Sequence, residues 1–82
     1  MSDYVPIDCG LYSQYELTIM HAQHLRTAWR DPTGATHLQT LLPVNLQTRE
    51  HAEYLLARTQ DGTVLEIRLD RIIRADPVHP II

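Results

Sequence analysis

The chain contains no lysine: all seven of its basic residues are arginine. Arginine's rigid fork packs and pairs well with carboxylates on strand surfaces. A single cysteine, Cys9, excludes an intramolecular disulfide and suits a reducing compartment. The three glycines, Gly10, Gly34 and Gly62, stand apart from one another, so no phosphate-cradling glycine loop exists. No run of about 18 apolar residues occurs, which excludes a membrane-spanning helix. The N-terminus also lacks a basic stretch followed by an apolar one, so no secretory signal is legible. The expectation is a soluble cytoplasmic protein. With 82 residues there is room for one domain, which buries only about 60–65% of its unfolded surface. Apolar residues make up 44% of the chain, a globular rather than a disordered composition.

Arginine is also missing from the first 23 positions, which hold Asp3, Asp8 and Glu16. The net charge of the whole chain, −3, therefore equals that of this segment. The remaining arginines are dispersed among acids, and with a pI near 5.9 there is little to neutralise a phosphate backbone. Direct nucleic-acid binding is disfavoured.

Periodicity organises the rest into a lead-in and helix over 1–23, a β domain over 24–75 and a tail over 76–82. Pro6 keeps the lead-in extended. Tyr12, Tyr15 and Ile19 recur at helical spacing between about Leu11 and His21, with Asp8 or Gly10 near the start. Period two then takes over. A strand is expected over His24–Arg30, and Asp31-Pro32-Thr33-Gly34 has turn chemistry. A second strand over Ala35–Leu42 carries Leu38, Thr40 and Leu42 in register and ends at Pro43, unless Val44–Thr48 continues it as a bent strand. A third, Ala52–Thr59, joins a fourth, Thr63–Leu69, through Asp61-Gly62, the strongest hairpin signal in the chain. Ile72-Ile73 makes a short fifth. The fold class expected is mainly β: one helix on a small, partly open barrel of about five bent antiparallel strands. Its candidate core is Leu25, Trp29, Leu38, Leu56, Leu65, Ile67, Leu69 and Ile72.

Few residues carry obvious chemistry. His21 and His24 are three apart, as two metal ligands on one helical turn would be, but no third ligand follows at motif spacing. His37, His51 and His79 fall in separate loops or strand ends and are expected as solvated imidazoles. Cys9, beside Pro6-Ile7, is expected as a buried structural thiol rather than a nucleophile. No two carboxylates are set apart for acid–base work. Glu66, Arg68 and Asp70 alternate beside Glu53 and Arg58, as cross-strand ion pairs on a solvated face do. Neither catalysis, a cofactor nor a metal is expected.

The N-terminal segment is different. Tyr4, Tyr12 and Tyr15 lie among Asp3, Asp8 and Glu16, and tyrosine is enriched at interface hot spots because it buries a large body behind a polar tip. Acids around such rings favour a basic partner; the alternative is that the rings only cap the barrel. The residues Tyr4-x-Pro6-Ile7-x-Cys9-x-x-Tyr12-x-x-x-Glu16-Leu17, then Glu53-Tyr54-Leu55, then Arg68-Leu69-Asp70-x-Ile72 resemble the Rof (YaeO) family of Rho-binding antiterminators. The resemblance covers roughly residues 4–75. It implies an N-terminal helix on an Sm-like barrel, and a monomer that binds bacterial termination factor Rho at its RNA-binding region. Transcript then fails to load and Rho-dependent termination falls. On that reading the partner-binding residues are Asp8, Tyr12, Tyr15 and Glu16; the alternative is an Sm-like RNA-binding module. One departure is clear: where the family carries acids just after the cysteine, this chain has Gly10, Leu11 and Ser13.

Overall fold

A computed structural model describes residues 4–78. Helix α1, Cys9–Met20, begins where Asp8 caps it: Oδ2 of Asp8 accepts from the backbone N–H of Gly10 at 2.9 Å and of Leu11 at 3.3 Å. That satisfies two of the donors every helix N-terminus leaves unpaired. Ala22, with φ 51°, then turns the chain out of the helix. Five strands follow: β1 Leu25–Arg30, β2 Thr36–Arg49, β3 Ala52–Arg58, β4 Val64–Arg68 and β5 Ile72–Pro77, with a single 3-10 turn, Leu69–Arg71, between the last two. They form one antiparallel sheet in the order β4-β3-β2-β1-β5. The sheet is not closed, so β4 and β5 are its edges.

The sheet owes its bend to β2, a single strand of 14 residues. Its first half pairs with β1 and its second half with β3, and the ladder slips between Pro43 and Asn45. Proline cannot donate to a ladder, and a bulge is where a sheet tolerates one. Pro43 therefore bends the strand instead of ending it, and Val44–Thr48 continues it. The β2–β3 connection shrinks to Glu50-His51, both with positive φ, 49° and 64°. Both hairpin turns expected from the sequence are present, with φ 90° at Gly34 and at Gly62.

The buried cluster comprises Tyr15, Leu25, Trp29, Leu41, Leu55, Ala57, Ile67 and Leu69, with α1 lying against β2. Leu25, Trp29, Ile67 and Leu69 were expected there; Leu65 and Ile72 are half-buried against it. Two residues depart from expectation for one reason, the face of the strand. Leu38 pairs with Ala28 on the outer side and is 59% exposed, while Leu41, opposite Leu25, is fully buried. Leu56 pairs with Glu66 and is half-buried, while its neighbours Leu55 and Ala57 point inward. Thr27 is buried too, its hydroxyl donating to the Leu25 carbonyl at 3.1 Å. At the C-terminal end, Asp76 and Pro77, expected in a tail, belong to β5, and the Val78 N–H donates to the His24 carbonyl. His79 lies outside the described residues.

Candidate functional site: the N-terminal face

The lead-in is extended, and two long-range bonds fasten it to the sheet. The Tyr4 hydroxyl donates to Glu53 Oε1 on β3 at 3.1 Å, and the Val5 N–H donates to Asp70 Oδ2 at 3.0 Å. Asp70 is itself held by Arg68, whose Nε and Nη2 donate to its two oxygens at 2.6 and 3.0 Å. This fork is shielded, with the two side chains only 16% and 9% exposed, and bidentate pairs of this kind are the strong ones. The Arg68 guanidinium also lies 5.9 Å from the centre of the Tyr4 ring. Segments separated by some fifty residues of sequence are thus joined into one surface.

Tyr12 sits on the same surface, half-buried against the core. Burial pushes its hydroxyl pKa up, and the carboxylates of Glu53 and Glu16 push it further. For Tyr4, burial, the bond to Glu53 and that residue's charge together raise the hydroxyl to about 12. Both phenols stay protonated: the Tyr4 proton is committed to Glu53, and each phenol oxygen can accept from a partner's N–H groups. The face therefore offers two tyrosine hydroxyls beside the carboxylates of Glu16 and Glu53, a combination suited to basic groups on a partner.

The expected site residues divide. Tyr12 and Glu16 are on this face, Glu16 exposed. Tyr15 is not available to a partner: it is 4% exposed and belongs to the core, so its expected place among the partner-binding residues is corrected. Burial alone raises its hydroxyl pKa. Asp8 is exposed, but one of its oxygens is committed to the helix cap. Cys9, expected buried, is exposed as the first residue of α1, because the helix begins there and turns it outward. Of the cross-strand ion pairs expected on a solvated face, Glu66 pairs across the sheet with Arg49 of β2, whereas Arg68 pairs with the nearby Asp70 in a shielded position.

Sequence reasoning did not single out Glu53 as a member of this site, nor the exposed apolar pair Leu17 and Met20 elsewhere on α1. Leu17 is 53% and Met20 78% exposed. The helical period did hold the signal for that pair: once Tyr12, Tyr15 and Ile19 take one face, Leu17 and Met20 fall on the other. Among the described residues no group of three or more His, Cys, Asp or Glu side chains could hold a metal ion. Among the same residues no helix is long and apolar enough to cross a membrane.

No family model matches the chain, and no curated protein matches it either. Among solved structures the chain is similar to proteasome accessory factor B/C (PafBC) of Arthrobacter aurescens, with a TM-score of 0.74 over 93% of this chain at 18% identity. It spans only 12% of the length of that protein's chain. At this identity the likeness concerns the fold alone.

Proposed function

We propose that this protein is a non-enzymatic regulator that binds transcription termination factor Rho through its N-terminal face, competes with transcript and lowers Rho-dependent termination in the cytoplasm. The observation that carries the reading is the joining of residues that resemble the Rof family into one tyrosine- and acid-bearing surface: Tyr4, Tyr12 and Glu16 from the lead-in and helix, and Glu53 from β3. A surface that receives RNA is rich in arginine and lysine, and phenol hydroxyls flanked by carboxylates complement it.

Titrating purified Rho with this protein, with RNA as competitor, tests the reading. Tyr12→Ala is expected to cost about 2 kcal/mol, roughly thirtyfold in affinity. Glu16→Arg sets like charge against a basic surface and weakens binding further. Absence of Rho binding by the wild type, or simultaneous binding of RNA and this protein without interference, overturns the proposal.

A further inference from the structure

Side chains of a strand alternate between the two faces of its sheet. A cavity lined by four consecutive strand residues is therefore reached across the strand's edge. A cleft of about 470 Å³ has Leu65, Glu66, Ile67 and Arg68 of β4 along one wall. β4 is an edge strand whose one sheet neighbour is β3, so half of its backbone donors and acceptors have no ladder partner. Natural sheets cover or blunt such edges because they pair readily with another extended chain. The facing wall is the end of the β1–β2 hairpin, where Trp29 and His37 stack at 5.2 Å with 17° between their planes. His37 and Gln39 point inward with Trp29 and Thr27, their pairing partners. Polar residues on the inward face mark the mouth of a cleft, not a sealed core.

The charge of this cleft is not that of the whole chain. Each acid beside it is already engaged: Asp31 with His37, Glu66 with Arg49, and Asp70 with Arg68. Arg30 and Arg71 have no carboxylate partner among the described residues. Arg71 reaches only the Asp31 carbonyl, at 3.5 Å. Both also line an adjoining cavity of about 460 Å³, together with Arg68.

We propose that the cleft binds an extended acidic peptide segment of another protein, which adds as a strand to the open edge of β4. Its main chain pairs with β4, an apolar side chain lies against Trp29 and Leu65, and a carboxylate bonds to Arg30 and Arg71. Strand addition of this kind draws affinity from the main chain and specificity from alternate side chains. Free backbone groups recur along an edge at intervals of about 7 Å, a repeat that another extended chain matches and a single nucleotide does not. The chain's net charge of −3 opposes a long polyanion but not a short acidic segment.

Trp29 is the only tryptophan, so its fluorescence reports on the cleft directly. The probe is a blocked hexapeptide of alternating valine and glutamate. Its counterparts carry lysine for glutamate, or N-methyl groups on alternate amides; adenosine monophosphate and a short oligonucleotide are the nucleic-acid arms. The acidic peptide is expected to change the fluorescence saturably and to slow hydrogen exchange of β4 amides, while the lysine and N-methylated peptides do neither. Arg30→Glu and Arg71→Glu should each weaken binding about tenfold or more, and Arg58→Glu, on β3 outside the cleft, should not. Arg30→Gln and Arg71→Gln serve where a charge reversal lowers the melting temperature. Equal binding of the N-methylated or lysine peptide, no binding of the acidic one, or saturation by either nucleic-acid probe with the same arginine dependence overturns the proposal. Rho binding plays no part in these readouts, so this site and the N-terminal face stand or fall separately.

Discussion

Two tyrosines three positions apart have opposite roles. Tyr15 is closed in the core among Leu25, Leu41 and Leu55, whereas Tyr12 is half-exposed beside Glu16 and Glu53. Tyr15→Ala removes a buried ring and leaves a cavity, so it is expected to cost about 3–5 kcal/mol of folding stability, read from the urea midpoint. Tyr12→Ala should move that midpoint far less while reducing Rho binding. If the two substitutions destabilise equally, Tyr12 is a packing residue and the proposed site loses its centre. Asp8 divides in the same way. Asp8→Ala removes the helix cap and should cost about 1 kcal/mol, while Asp8→Asn keeps an oxygen for Gly10 and Leu11 and should leave stability nearly unchanged. A lower association rate with Rho in Asp8→Asn alone would then report charge and not helix integrity.

At the scale of elements, the strands whose flanks carry turn chemistry were legible. Asp31 to Gly34 and Asp61-Gly62 announce their turns. The structure adds the reason for the first: Asp31 Oδ1 accepts from the Thr33 N–H, the Thr33 hydroxyl and the Ala35 N–H, and Oδ2 meets His37 Nε2 at 2.6 Å. The bond to His37 first, and then that to Thr33, hold the Asp31 carboxyl well below the usual carboxylate range. The β2–β3 hairpin was not legible, because Glu50-His51 has none of the glycine, asparagine or aspartate that announces a two-residue hairpin turn. Ending the second strand at Pro43 followed from that. The alternation of Leu38, Thr40 and Leu42 set the strand on the wrong face, because Leu41, opposite Leu25 on the other face, is the residue turned to the core. Non-glycine residues at positive φ cost roughly 1 kcal/mol each. Replacing Glu50-His51 by Asn-Gly should therefore stabilise the protein by about 1 kcal/mol or more, as a rise in the urea midpoint. A fall would mean that one of these side chains makes a contact worth more than the backbone relief.

For the molecule as a whole, the lead-in completes the fold by bridging from the helix to β3 and to the 3-10 turn. Composition gave no sign of this, since hydrogen bonds spanning 49 and 65 residues leave no periodic trace. The consequence can be measured with pH. The Tyr4 hydroxyl is raised to about 12 from an ordinary 10, first by burial and then by its bond to Glu53. The folded state therefore favours the neutral phenol. The stability this confers is fully present below about pH 10 and is lost as pH rises from there through about 12. Wild-type protein should lose urea resistance across that interval more steeply than Tyr4→Phe, which has no proton to lose; below pH 10 the wild type should be the more stable of the two. Glu53→Gln keeps an acceptor but removes the charge, so an ultraviolet absorbance titration should show the Tyr4 transition falling only part of the way back towards 10, because burial remains. If Tyr4 titrates normally in the wild type, the lead-in is not fastened to β3 in solution. The N-terminal face would then lack the scaffold that sets Tyr12 and Glu16 beside Glu53.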